Sequence, residues 1–142
     1  MLKNIPNIIS PDLLKILMEM GHGNDIVISD GNFPAASVAQ RLIRLDGHNV
    51  PEVLDAILKF FPLDTYVESP VGLMAVTPGD NYKPVIWDEY KKIIVDSKEP
   101  FKDFEYIERF EFYERAKVAY AVIATSESAL YANIILKKGV VV

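Results

Sequence analysis

Two histidines and no cysteine leave this chain a short inventory for chemistry. His22 lies in Gly21-His22-Gly23, directly after a predicted helix. The negative end of a helix dipole favours an imidazolium, and so a general acid near neutral pH, whereas burial would push the other way. The competing reading makes Gly21 a helix stop and His22 a polar loop residue. Asp30 closes a predicted strand, and ligands of open α/β sheets bind beyond the carboxyl ends of strands. An Asx-turn aspartate beside Gly31 is the plainer alternative. Arg109 falls at a predicted strand-to-helix junction, where a fixed guanidinium can face sugar hydroxyls or a carboxylate. His48, in Asp46-Gly47-His48-Asn49, reads as an exposed residue ahead of a helix.

What these residues are not is equally informative. Without cysteine there is no thiolate nucleophile, disulfide framework or Cys-based metal site, and a transition-metal site would need mostly carboxylate ligands. The chain lacks the phosphate-loop, dinucleotide, nucleophile-elbow and zincin motifs. The chemistry left is metal-free acid–base work, with neither metal nor cofactor expected. With 15 basic against 20 acidic residues the net charge is −5, and no basic run is longer than a pair such as Lys137-Lys138, so neither nucleic acid nor an anionic membrane is an expected partner. The first residues lack a signal-peptide layout and the longest apolar run, Val118 to Ala124, is too short to span a bilayer, so a cytoplasmic protein is expected.

The elements that must position these side chains alternate along the chain. Its 142 residues suit one domain, residues 1–142, and half of them are apolar, enough for a self-sufficient core. Ser10-Pro11-Asp12 starts a helix to about residue 20, with Gly21 as its stop. Asp25 to Asp30 is a strand buried on both faces, Phe33-Pro34 opens a loop with a helical turn, and Arg41 to Leu45 alternates as a strand. Asn49 begins a helix whose Val53, Leu54, Ile57, Leu58 and Phe61 form one stripe. Val71 to Val76 is a strand, Pro84 to about Asp96 a helix, Phe104 to Ile107 a strand and Phe110 to about Val118 a helix. In that last helix Phe112, Ala116 and Val118 are expected to pack, with Glu111 and Arg115 as an i,i+4 pair. Tyr120 to Ala124 and Asn133 to Leu136 supply two more strands. The expected fold is three-layer α/β/α: a mostly parallel, mixed sheet of about six strands with helices on both faces.

At several of these residues the chain resembles the L-fucose mutarotase and D-ribose pyranase family, the fucose branch closely, over essentially its whole length. The matching motifs are Glu19 to Gly23, the strand ending at Asp30, Phe33-Pro34, Pro62 to Pro70, Ile107 to Ala116 and Ile134 to Val140. The runs Leu63 to Pro70 and Ile107 to Ala116 look more like animal-type fucose mutarotases than bacterial ones. The resemblance implies a cofactor-independent isomerase of the aldose 1-epimerase type. By position it places the proton donor on His22 and the substrate contacts on Asp30, Arg109, Tyr131 and Asn133. It further implies ring-shaped oligomers, typically homodecamers, acting on L-fucose or on D-ribose. The family's usual Tyr-Gly-Asn is here Tyr131-Ala132-Asn133. If its middle residue needs a positive φ, alanine costs about 1 kcal/mol or more.

One geometric expectation follows. Five strand steps of about 3.3 Å put the two ends of the Asp25–Asp30 run roughly 16 Å apart, more than one hexose spans. Unless the Gly21-His22-Gly23 loop folds back, the site must be shared between subunits. A non-catalytic sugar-binding or transport-accessory protein and a purely structural ring protein are the alternatives from other functional classes.

Overall fold

Short apolar runs, β-branched above all in Asp25–Ser29, Ala121–Thr125 and Ile134–Lys137, form the sheet, and the amphipathic stripes of Pro11–Glu19, Val50–Leu58 and Ile86–Ser97 pack against it. A computed structural model describes all 142 residues. In chain order the elements are α1 (Pro11–Glu19), β1 (Asp25–Ser29), α2 (Ala35–Val38), β2 (Leu42–Leu45), α3 (Val50–Leu58), β3 (Val71–Met74), α4 (Ile86–Ser97), β4 (Glu105–Ile107), α5 (Arg109–Val118), β5 (Ala121–Thr125) and β6 (Ile134–Lys137). They make one sheet of order β2-β5-β1-β6-β3-β4. Parallel pairing joins β2 to β5, β5 to β1 and β3 to β4, while β6 runs antiparallel to both β1 and β3. No helix is long and apolar enough to cross a membrane.

Alternation along the strands feeds two cores. Ile26, Ile28, Ile123 and Ile134 face a large cluster with Leu13, Leu17, Leu54, Ile57, Tyr90 and Ile94 from α1, α3 and α4. Val27, Val122 and Ile135 face the other way, against Phe33, Ala35, Phe112 and Ala116 around α2 and α5. The three-layer expectation is therefore met, with helices on both faces. Burying a side chain such as Leu54 or Ile57, both fully buried, stabilises by about 1.5–3 kcal/mol each.

Three local expectations differ from what is observed. The first helix does end before Gly21, but not through a left-handed glycine: Met20 is extended and the positive φ of 84° falls on Gly23. The Lys138 ammonium closes the helix instead, donating to the carbonyls of Leu17 and Met20 at 3.0 and 2.6 Å. Arg115 does not pair with Glu111. It reaches over the sheet to Glu105 at 2.7 Å and lies 3.8 Å from Asp25, because both carboxylates come from strand ends beneath it. Val118, at the end of α5, is exposed rather than packed.

The antiparallel β6 decides what meets what. β1, β2, β3, β4 and β5 all run one way, so their carboxyl ends share one edge of the sheet; β6 begins at that edge and ends at the opposite one. Asp25 is in register with Lys137, and Ile28 with Ile134. Asn133, just before β6, thus stands beside Asp30, while Lys138 stands beside the loop that carries His22.

Candidate functional site

At the carboxyl edge the polar residues converge. Asp30, nearly buried, donates its backbone N–H to Asn133 Oδ1 at 2.8 Å, and its own Oδ1 accepts the Asn32 N–H at 3.0 Å. Burial raises its carboxyl above the ordinary value and the nearby Glu127 carboxylate adds to this; the Asn32 and Phe33 amides and the Asn133 side chain pull it back in part. Glu127 is itself buried, its two oxygens accepting the N–H groups of Ala129 and of Val50 at the start of α3, at 3.0 and 3.3 Å. A hollow of about 320 Å³ opens here, lined by Asp30, Phe33, Pro34, Arg44 and Thr125 among others.

Arg109 opens α5 beyond the carboxyl end of β4. Glu108 caps that helix by accepting the N–H groups of Phe110 and Glu111, which satisfies two of its first-turn donors. Arg109 Nε donates to the Tyr113 hydroxyl at 3.1 Å, one turn on, leaving the outer guanidinium nitrogens for a ligand. That hydrogen bond holds Arg109 above its already high ordinary pKa. Beside it the rings of Phe33, Tyr113 and Phe110 follow one another at centroid spacings of 5.6 and 6.2 Å, an apolar surface next to a cluster of donors and acceptors.

Tyr131 and Asn133 reach the same edge from the loop before β6. The Tyr131 hydroxyl donates to Asp80 Oδ2 at 2.6 Å and accepts the Thr77 N–H at 3.3 Å. That bond, with the Tyr82 amide, keeps Asp80 below the ordinary carboxylate range. The alanine in place of the family's glycine carries no penalty: the positive φ, 56°, is on Tyr131, and Ala132 is fully buried with its carbonyl accepting the Tyr90 hydroxyl at 2.7 Å.

His22 is elsewhere. Its loop does not fold back, because Gly23 N–H donates to Lys138 O and Lys138 N–H to Asn24 O, both at 2.8 Å, pinning it to the amino edge. There His22 Nε2 lies 3.0 Å from Asp64 Oδ1, and its ring sits 5.3 Å from that of Tyr66. The Asp64 side chain is only 3% exposed, whereas that of His22 is 45% exposed and open to a group from outside the chain. Burial alone would raise Asp64, but the Tyr66 amide, His22 and Lys137 outweigh it and hold the carboxyl below its ordinary value. Asp64 is held in place at Gly139, whose backbone runs so close that a Cβ would stand 2.5 Å from Leu63 O.

Within one chain, then, Asp30, Arg109, Tyr131 and Asn133 gather at one edge of the sheet and His22 stands at the other. Chemically the first group can bind a neutral polyol, with apolar rings for its C–H surface. The second pairs an imidazole with a carboxylate that orients it.

The model of the RbsD / FucU transport protein family matches residues 3–141. The chain belongs to that family. The fucose mutarotase of Mus musculus is 50% identical over 144 residues, covering 97% of this chain and 94% of that protein. The crystal structure of the fucose mutarotase from Streptococcus pneumoniae in complex with L-fucose is 57% identical, covers 99% of this chain and all of that one, and superposes with a TM-score of 0.94. Bacillus subtilis RbsD complexed with D-ribose has the same fold at a TM-score of 0.73 but is 26% identical over the full length of both chains. Likeness within the RbsD / FucU family therefore leans strongly to the fucose side.

Sequence reasoning did not single out Asp64, Tyr66, Tyr113 or Glu127. Asp64 and Tyr66 fall in the motif Pro62 to Pro70, yet lie 42 and 44 positions from His22, and the pairing of Pro62 to Asp64 with Lys137 to Gly139 brings them to it. Tyr113 was legible as the residue one turn after Arg109. His48 lies in the loop before α3 as expected, but it is half-buried rather than exposed, 3.1 Å from Glu52.

Proposed function

We propose that this protein is an L-fucose mutarotase, an isomerase that interconverts the α and β anomers of L-fucopyranose by acid–base ring opening and reclosure. The observation that carries this reading is the full-length, 57% identical relative whose crystal structure holds L-fucose. The residue inventory agrees with it. Opening the ring requires a proton delivered to the ring oxygen and one removed from the anomeric hydroxyl; reclosure on the other face of the carbonyl inverts the anomer.

His22 delivers the ring-oxygen proton, with Asp64 on Nε2 fixing the imidazole so that Nδ1 faces the sugar. Asp30 orients the hydroxyls and assists in removing the anomeric proton, a role helped by the burial that raises its basicity. Arg109, Tyr131 and Asn133 hold the neutral sugar by hydrogen bonds. Since these groups lie at opposite edges of one sheet, the working site takes His22 from one protomer and the Asp30 group from its neighbour, in a homodecameric ring. The protein works in the cytoplasm, a reading supported by its cysteine-free composition.

Saturation-transfer NMR on L-fucose tests the activity. Exchange of magnetisation between anomers above the uncatalysed rate is expected, and exchange with D-ribose pyranose and furanose alone would replace this reading by ribose pyranase activity. His22→Ala should abolish the exchange; a variant that retains the full rate would count against His22 as the acid, whereas a wild-type protein that binds L-fucose without speeding its exchange would favour non-catalytic sugar binding.

A further inference from the structure

Helix α4 packs on the face of the sheet carrying the larger core, yet it touches the carboxyl-edge site at two successive peptide groups. Trp87 donates its indole Nε1–H to the carbonyl of Tyr131 at 2.8 Å. Tyr90, three residues on and so on the same helical face, donates its hydroxyl to the carbonyl of Ala132 at 2.7 Å. The peptide groups held are those on either side of the turn to Asn133, and the first belongs to a residue in the left-handed region, at a φ of 56°. A tyrosine left free to choose would abandon that conformation, so something outside the loop must fix it.

We infer that Trp87 and Tyr90 are positioning residues for the sugar site: they lock the Tyr131–Asn133 loop in the one backbone shape that sets the Asn133 amide against Asp30 and the Tyr131 hydroxyl against Asp80. The inference rests on the reading of this edge as the sugar-binding half of the site. Packing alone does not account for the pair. Trp87 is half-buried, its ring 5.4 Å from that of Tyr106, and phenylalanine would fill that contact without the N–H. Tyr90 is fully buried, and its hydroxyl finds its partner only at this loop. Each donor ends on a carbonyl of the substrate loop rather than on a neighbouring helix or strand.

Neither residue touches the reacting atoms, so their loss should weaken sugar binding rather than slow proton transfer. Trp87→Phe and Tyr90→Phe are each expected to raise the KM for L-fucose about fivefold, the worth of one well-placed hydrogen bond, with kcat within about twofold of wild type. A merely structural role would instead lower the active fraction, reducing apparent kcat at unchanged KM. Trp87 is the only tryptophan, so its indole N–H resonance reports on this contact alone and should shift when L-fucose is added to the wild-type assembly. Unchanged KM in both variants, with wild-type exchange intact, overturns the positioning role and leaves the mutarotase reading standing. A wild-type protein that shifts the resonance on adding L-fucose but does not exchange anomers keeps the positioning role and removes the enzyme. Neither shift nor exchange removes both.

Discussion

His22 Nε2 and Asp64 Oδ1 meet at 3.0 Å on the amino edge of the sheet, at the far end of β1 from Asp30. The pair is an imidazole held by a nearly buried carboxylate, with its other nitrogen free to act. Replacing Asp64 by Asn removes the charge but keeps the shape. Saturating anomer exchange is expected to fall about tenfold or more, with the KM for L-fucose little changed; His22→Ala should cost about a hundredfold or more. An Asp64→Asn protein with wild-type kcat would show that the carboxylate plays no part.

The same carboxylate gives a pH signature. Asp64 is held below the ordinary 3.8, so its contribution to stability is fully present above the unfolded value and is lost as pH falls through the lower folded one. Between pH 6 and pH 3 the wild-type thermal midpoint should therefore drop more steeply than that of Asp64→Asn. Parallel curves would contradict this.

Asp30 has the opposite sign. Its pKa is raised in the fold, so the ionised group costs stability above the folded value, and the cost is relieved as pH falls through it. Asparagine can still accept the Asn32 N–H. Asp30→Asn should raise the midpoint at pH 7 by about 2 °C while anomer exchange falls at least about a hundredfold. A destabilised variant would mean that the charge is better satisfied than the burial and the Glu127 neighbour allow.

Gly139 is the backbone contact on which the His22–Asp64 geometry depends. A methyl there would stand 2.5 Å from Leu63 O and 2.9 Å from the Asp64 Cα, both backbone atoms with little freedom to yield. Gly139→Ala is expected to destabilise by about 1–3 kcal/mol in denaturant unfolding and to lower kcat together with stability. Full activity in this variant would show that Asp64 tolerates displacement.

The layers, the strand number and the burial of β1 were legible because β-branched runs and helical stripes carry their own period. The direction of β6 was not. Ile134 to Leu136 reads as a buried strand in either orientation, and only its pairing with both β1 and β3 sets Asn133 beside Asp30 and Lys138 beside His22. The separation of His22 from Asp30 could be argued from strand length alone, since β1 lies between them. Asp64 was hidden for the ordinary reason that a contact 42 residues away leaves no local mark. The position of the positive φ, on Tyr131 rather than Ala132, depends on Trp87 and Tyr90, which are just as distant in sequence.

A site built from two protomers makes a demand on mixtures that no single-chain site makes. His22→Ala and Asp30→Asn proteins, each inactive as a pure oligomer, would be co-expressed in equal amounts and assayed by L-fucose anomer exchange. Random assembly then leaves about a quarter of the sites with an intact His22 from one subunit and an intact Asp30 from its neighbour, and activity should return to about that fraction of wild type. Mixed oligomers as inactive as their parents would contradict the shared site.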